Sequence, residues 1–547
     1  MRYLALIAFC LFLYLPGIAA VPPLDRDESR FAQATKQMLE TRDFVRIQFQ
    51  DIPRNKKPVG IYWMQAASVS LFGEPGRPAI WPYRLPSVLG ATAAVLLAFH
   101  FGQGLFGGRT AFAGAALLAG SLLLTAEAHQ AKTDAVLLAC VVAAQGALGR
   151  FYMAKRGGPS PPPGIAVAMT FWLAQGVGIL VKGPIVPLIS LLTIAALWAW
   201  ERRLDWLRGL RPLVGLPLAA AIVAPWVVAI SSATGGAFVG DAVRSDLLPK
   251  LLGAQESHGA PPGYYLLLAS LTLWPASLFL WPALVRSWRE RATPAVRFCL
   301  AWVLPTWVVF EAVPTKLPHY VLPTYPALTL LIAATLFAVV REGSDALVRP
   351  RWVRAWYVVW ALLGGTLAAA FIVLPLRFGG GISIGAVVAA AGALAAAALP
   401  LVRFRRLPVL TAATLGLGGA AVAFVATFAW VMPGLDSLWL SRRVAETVER
   451  LAPDRSVAVA AAGYTEPSLV FLLGTGTRLV GGGSAADHVT ATPGALAVVN
   501  QPEEAAFLSR LSESGRTALL LDTVEGFNYS RGKPAILKVY GVRPEKP

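Results

Sequence analysis

Charge is what this sequence has least of. Only 14% of its 547 residues are Asp, Glu, Lys or Arg, against about 25% in soluble chains. That shortage excludes an ordinary soluble α-rich protein, which would show amphipathic stripes instead of solid apolar runs. Cysteine is almost missing: Cys10, Cys140 and Cys299 are the only three, each inside an apolar run. They offer neither a disulfide framework nor a metal-ligand spacing. Internal repeats are absent. No G-x-G-x-x-G follows the first strand predicted near the C-terminus, so nucleotide binding is not expected there.

What fills the chain instead is apolar: 56% of residues are hydrophobic. They gather into runs of about 17–25 residues, the length that crosses a bilayer core. Such runs lie near 3–22, 83–105, 110–126, 134–153, 165–181, 184–200, 212–232, 264–285, 297–313, 320–340, 352–376, 382–402 and 407–433, predicting about thirteen spans. The first run has Arg2 ahead of it and Ala19 and Ala20 near its end, as a signal peptide would. Its length, and the topology below, favour an uncleaved first helix.

The net charge of +18 reports topology more than a nucleic-acid partner. Alternate loops hold Arg109; Lys155 and Arg156; Arg202, Arg203, Arg208 and Arg211; Arg286, Arg289 and Arg291; Arg341, Arg349 and Arg351; and Arg403, Arg405 and Arg406. Short Arg-rich loops predict the cytoplasmic side. The N-terminus falls on the same side, and an odd number of spans puts the C-terminal segment outside.

The opposite loops mix both signs close to the spans. They hold Asp25, Asp27 and Glu28; Lys56 and Lys57; Glu127, Lys132 and Asp134; Lys182; the segment from Asp241 to His258; and Glu311, Lys316 and His319. Ionisable groups at a membrane boundary are costly unless paired or used, so function is expected on this face. The external loop 23–82 is the longest between spans. Phe31, Ala34, Thr35, Met38 and Leu39 repeat at helical spacing and predict a surface helix over 28–40. A second interfacial helix is predicted over 59–72, with Tyr62 and Trp63. Residues 1–433 therefore read as a transmembrane catalytic domain. Residues 434–547 read as a small soluble α/β domain, with strands over 455–462, 494–499, 517–522 and 535–540 and helices near 466–474 and 502–512.

Six constellations on the external face can carry chemistry. Asp25 to Phe31 puts Asp27 and Arg30 one turn apart, as a helix cap or as a base beside a cation. Lys56-Lys57-Pro58 before Tyr62 and Trp63 either anchors a surface helix or makes a phosphate site at a helix start. Lys132-Thr133-Asp134 supplies a cap or a second carboxylate. Lys182-Gly183-Pro184 offers a lysine with few neutral explanations except snorkelling. Ser257 to Tyr265 contains His258, a lone histidine that says little about metal. Lys316 to Pro326 is a proline-shaped entrance. Two carboxylates, several cations and aromatics on one face suit an anionic lipid substrate and proton abstraction from a hydroxyl.

The ordered set resembles a known family. Asp27, Glu28, Arg30, Phe31 and Ala32; Lys57, Pro58, Tyr62 and Trp63; Lys182 and Gly183; His258, Ala260, Pro261, Tyr264 and Tyr265; and Lys316 to Tyr320 occur in the order found in bacterial GT-C glycosyltransferases related to protein O-mannosyltransferases. Among these the aminoarabinose transferases that modify lipid A are most similar, over roughly 20–430. The resemblance implies an inner-membrane, multi-pass enzyme with its active site and C-terminal domain in the periplasm. It implies transfer of a sugar from a polyprenyl-phosphate donor to an envelope acceptor, favouring a lipid A or lipopolysaccharide-like glycolipid. Asp27 would be the base, with Asp134 and Glu28 completing the catalytic carboxylates. Arg30, Lys57 and Lys250 would hold the lipid phosphate. Tyr62, Lys182, Tyr264, Lys316 and Tyr320 would line the substrate site, and His258 would ligate a divalent metal. This sequence departs from the pattern where Lys56 replaces the glutamate that pairs with the histidine on that metal, and where Phe31 replaces a tyrosine. The same chemistry on a protein or another glycan is the alternative acceptor reading. A lipid-linked-glycan transporter is the non-enzymatic rival, but transporters carry their polar groups near the midplane, not at one edge.

Overall fold

The computed structural model describes residues 1–74, 78–157, 162–241, 260–342, 351–403, 408–453 and 457–542. Most of the chain up to residue 431 is helical. Among the described residues nine helices are long and apolar enough to cross a membrane, from Trp81–Phe106 to Val409–Val431. A tenth is reached if Gly108–Ala119 and Leu122–Ala128, which meet at a 62° bend, count as one span. Three predicted spans take other forms. The first and sixth are the shorter helices Arg2–Tyr14 and Ile185–Glu201. The 264–285 segment is broken into Tyr264–Thr272, a 3-10 turn at Ala276–Phe279, and Leu280–Arg289.

Small residues let the helices approach. A Cβ on Gly90 would lie 2.8 Å from the Val136 backbone, so the Trp81–Phe106 helix packs tightly on Asp134–Ala154. The latter helix also gives the molecule two unlike ends. Asp134 opens it, and Tyr152, 18 residues on, lies about 27 Å away by helical rise. At the Tyr152 end Glu201 pairs with Arg156 and Arg297, three residues from or beside the Arg-rich loops. The mixed-charge loops meet at the Asp134 end.

In the 23–82 loop the predicted helices appear as Asp27–Thr41 and Gly60–Phe72. Asp27 and Glu28 sit in the first turn, where acids suit the helix dipole. Phe31, Ala34 and Met38 face inward. The Thr35 hydroxyl donates to Gln65 Oε1 at 2.7 Å and joins the two helices. Between them the short strands Gln48–Phe49 and Ile52–Pro53 form a hairpin, and Gln37 fixes its turn through both amide groups, at 2.7 and 2.8 Å from the Gln50 backbone.

The C-terminal α/β domain contains a five-stranded sheet. Its strand order is Arg478–Val480, Val459–Ala462, Leu496–Asn500, Lys533–Val542, Ala518–Asn528; the first three run parallel and the last two close an antiparallel hairpin. Alternation sets its two cores. Val459, Ala461 and Val498 face one side with Leu440, Val444 and Leu469, whereas Ala460, Ala462 and Val499 face the other with Ala485, Phe507 and Leu511. The sequence reading finds four strands and misses Arg478–Val480, which is only three residues long. It also misses Leu440–Leu451 and Gly482–Ala491; the second opens on Gly-Gly, a poor helix start.

Candidate active site

The mixed-charge loops enclose a cavity of about 290 Å³. Five segments build it: the start of the Asp27–Thr41 helix, the residues after the hairpin at 54–57, the 130–134 turn, the end of the Ile165–Lys182 helix, and the 315–320 entrance. Each has a local cause. Gly183, at φ 65°, stops its helix so that Lys182 ends the last turn, where a cation suits the dipole. Proline-rich sequence winds Pro318–Thr324 into a 3-10 turn that presents His319 and Tyr320.

Asp27 is the open carboxylate of the site, 54% exposed at the side chain. Arg54 Nη2 lies 3.9 Å from its Oδ1. Burial pushes the Asp27 carboxyl up, but the charges of Arg54 and Lys132 outweigh it and hold it below the usual range. Asp27 is therefore ionised at neutral pH. Arg54 is itself positioned: its guanidinium lies 5.1 Å from the Phe31 ring centre, and its Nε donates to the Tyr62 hydroxyl at 3.2 Å.

Asp134 is the closed carboxylate, only 5% exposed. Its Oδ1 accepts from Lys182 Nζ at 2.5 Å, and Lys182 Nζ stands 5.6 Å from the Tyr320 ring centre. Glu127 accepts from Lys132 Nζ at 2.9 Å. His319 sits between the two pairs, Nδ1 3.8 Å from Glu127 and Nε2 3.7 Å from Asp134. Burial pulls the Lys132 ammonium down, yet Glu127 and Asp134 raise it above its ordinary value, so it stays charged.

Of the residues predicted from sequence, Asp27, Glu28, Arg30, Lys57, Asp134, Lys182 and Tyr320 all line this cavity. Glu28 stands at the cavity wall but its carboxylate is turned to structural partners. It is 1% exposed, and its two oxygens accept four hydrogen bonds, from Arg84 Nε and Nη2, Leu24 N and Ala131 N, at 2.8–2.9 Å. No lone pair is left for a substrate proton. Tyr62 is fully buried behind Phe31 and supports Arg54, away from the cavity wall. Lys316 donates to the Ala260 and Val313 carbonyls at 2.9 and 3.2 Å, tying two loops together. Tyr264 packs edge-on against Tyr265 at 5.1 Å and is also off the cavity wall. Lys250 and His258 lie outside the described residues.

Sequence reasoning missed Arg54 and did not assign roles to Lys132 and His319. Lys132 stands two residues before Asp134, and His319 stands beside Tyr320, so both carried a signal by adjacency. Arg54 carried none, because only the hairpin turns it toward Asp27. Among the described residues no three His, Cys, Asp or Glu side chains gather as a metal site requires. Lys56 adds a cation to the cavity where the resemblance implies a ligand glutamate.

Residues 56–228 match the family model described as dolichyl-phosphate-mannose-protein mannosyltransferase. Undecaprenyl phosphate-alpha-4-amino-4-deoxy-L-arabinose arabinosyl transferases are similar in sequence. The one from Aeromonas hydrophila is 30% identical and the one from Aeromonas salmonicida 28%, each over 64% of this chain and 62% of the relative. The chain thus matches somewhat under two thirds of the relatives' length. ArnT from Cupriavidus metallidurans, crystallised bound to undecaprenyl phosphate, superposes with a TM-score of 0.75 at 18% identity, covering 98% of this chain and 97% of that one. The Archaeoglobus fulgidus oligosaccharyltransferase follows at 0.55 and 12%, covering 91% and 69%. The multi-pass helical bundle and the C-terminal sheet domain share the fold of ArnT, and the matched sequence is similar to that of the aminoarabinose transferases.

Proposed function

We propose that the chain transfers a sugar from a polyprenyl-phosphate donor to an envelope glycolipid of the lipid A type, at the periplasmic face of the bacterial inner membrane. The observation that carries this reading is an ionised, half-exposed Asp27 in a cavity otherwise crowded with cations. Asp27 takes the proton of the acceptor hydroxyl as its oxygen attacks the anomeric carbon. The bond from that carbon to the donor phosphate oxygen breaks, and polyprenyl phosphate leaves with the bonding pair. Arg30 and Lys57 hold the phosphate, so the charge that develops on it meets cations already in place. Lys182, held by Asp134, adds a third charge from the opposite wall. The Arg-rich loops at the far end support the periplasmic assignment by the positive-inside rule.

The test is transfer in detergent from an undecaprenyl-phosphate sugar to lipid A, read by mass spectrometry. Activity without a vesicle gradient, lost in Asp27→Asn, supports the reading. Transport of the donor without product would replace it with a transporter. The family model's description favours one other acceptor, a protein hydroxyl. Comparing envelope glycolipids and glycoproteins with and without the gene separates the two.

A further inference from the structure

Asp27 sits in a stretch held from two sides by parts of the chain far apart in sequence. On the membrane side, Glu28 is bonded to Arg84 and to the Ala131 backbone. On the other side the grip comes from the C-terminal domain. The Ser468 hydroxyl donates to Asp25 Oδ1, and the Asp25 N–H donates to the Tyr529 hydroxyl at 2.7 Å. Arg26 Nη2 donates to the Ser530 carbonyl at 2.5 Å. Ser468 lies in the first turn of Pro467–Leu473 and is 2.6 Å from the Ser441 hydroxyl; Tyr529 and Ser530 lie in the turn between the sheet's two long strands.

Arg26 needs such support. It lies at φ 67°, ψ −113°, a conformation that a side chain-bearing residue keeps only where its surroundings impose it. It is also the residue immediately before Asp27. Its peptide plane sets the direction in which the Asp27 side chain leaves the helix start.

We propose that the C-terminal domain is a positioning clamp for the base: Ser468, Tyr529 and Ser530 fix Asp25 and Arg26, and thereby aim the Asp27 carboxylate into the cavity. The proposal rests on the transfer reading above for its catalytic consequence, but its structural half stands alone. Ser468 is a positioning residue outside the cavity, and Asp25, at the cavity wall, acts through the turn it anchors. The domain's sheet and its other helices serve to present these contacts.

The full-length chain in detergent tests this, with Ser468→Ala and Tyr529→Phe combined. Ser468→Thr keeps the hydroxyl. Arg510→Ala is a surface control in the same domain, removing an exposed ion pair with Asp487. In the double variant, amide exchange over residues 24–31 should rise about tenfold. The kcat with undecaprenyl phosphate-α-4-amino-4-deoxy-L-arabinose as donor should fall about tenfold to a hundredfold. The donor KM should change less than kcat, because Lys57 and Lys182, on other segments of the cavity wall, are not moved. Ser468→Thr should restore both readouts in the Tyr529→Phe background, and Arg510→Ala should change neither. Unchanged exchange over 24–31, or raised exchange with unchanged kcat, overturns the proposal. If the double variant melts below the assay temperature, Ser468→Ala alone takes its place with the same readouts. If the unsubstituted chain transfers nothing, the proposed function fails, and the exchange result alone decides whether the domain holds the turn.

Discussion

Glu28 and Arg84 form a two-pronged ion pair away from water, Nε to Oε1 at 2.8 Å and Nη2 to Oε2 at 2.9 Å. Arg84 spends its remaining donors on the Ile18, Val21 and Pro22 carbonyls at 2.7–3.0 Å. One guanidinium thus ties the end of the first helix, the start of the Asp27–Thr41 helix and a membrane helix together. Removing either partner leaves a buried charge unpaired, which costs about 3–5 kcal/mol. Arg84→Met and Glu28→Gln are therefore expected to lower the melting temperature in detergent well beyond any cavity-facing substitution. A melting curve indistinguishable from the unsubstituted chain would show that the pair is not what holds this junction.

Asp27→Asn should behave in the opposite way. The side chain is half-exposed and weakly paired, so the fold does not depend on it. Transfer should drop by about 10²- to 10⁴-fold, the span expected for a lost general base. Binding of undecaprenyl phosphate should hold or tighten, since one negative charge near the phosphate cations is gone. Calorimetric titration with undecaprenyl phosphate beside a product assay checks both halves. Weakened lipid binding with intact turnover would move Asp27 out of the base role.

How much of this was legible in the sequence differs between parts for physical reasons. The bundle was legible because a bilayer demands long apolar runs, and the short or broken exceptions are those where proline or helix-end residues interrupt the run, as at 264–289. The cavity was legible where its residues sit beside spans, as with Lys182 and Asp134. Roles were less legible than places. Asp27 and Glu28 are neighbours of the same charge at the cavity wall, yet the Asp27 side chain is half-exposed and the Glu28 side chain is buried on Arg84, and only the helix phase separates them. Arg84 itself offered a clue, an arginine inside a predicted apolar run, which must find a partner. The grip of residues 468, 529 and 530 on the 25–26 turn had no signal at all, since nothing local links segments more than 400 residues apart.

Asp25 gives the molecule a pH-dependent stability near neutrality. Burial raises its carboxyl from 3.8 to about 7, against the Ser468 hydrogen bond that lowers it and beside Glu466, which raises it further. Tyr529 and Arg26 face the same turn. A folded-state pKa raised above the unfolded one means that the folded protein binds the proton more tightly. Its stabilising effect is full below the unfolded value and is lost as pH rises through about 7. The melting temperature of the unsubstituted chain should therefore fall between pH 4 and about 7 relative to that of Asp25→Asn, whose neutral side chain cannot titrate. Parallel pH profiles for the two proteins would exclude Asp25 as the titrating group.

Asp134 and Lys182 should be strongly coupled. Their 2.5 Å contact is almost closed to water, and His319 and Lys132 press on the same carboxylate. Lys182→Met leaves Asp134 buried among groups that only partly replace the lost ammonium. Asp134→Asn leaves the Lys182 ammonium with an amide in place of a carboxylate, free to swing toward the Tyr320 ring. Each single substitution should cost more, in stability and in turnover, than its share of the double substitution. A double-mutant cycle should return an interaction of about 0.5–3 kcal/mol. The donor KM should rise in Lys182→Met if the lysine also reaches the phosphate, and this effect should persist in the double variant, where Asp134→Asn cannot restore a missing cation. Additive single effects on stability would mean that His319 and Lys132, not Lys182, carry the Asp134 charge.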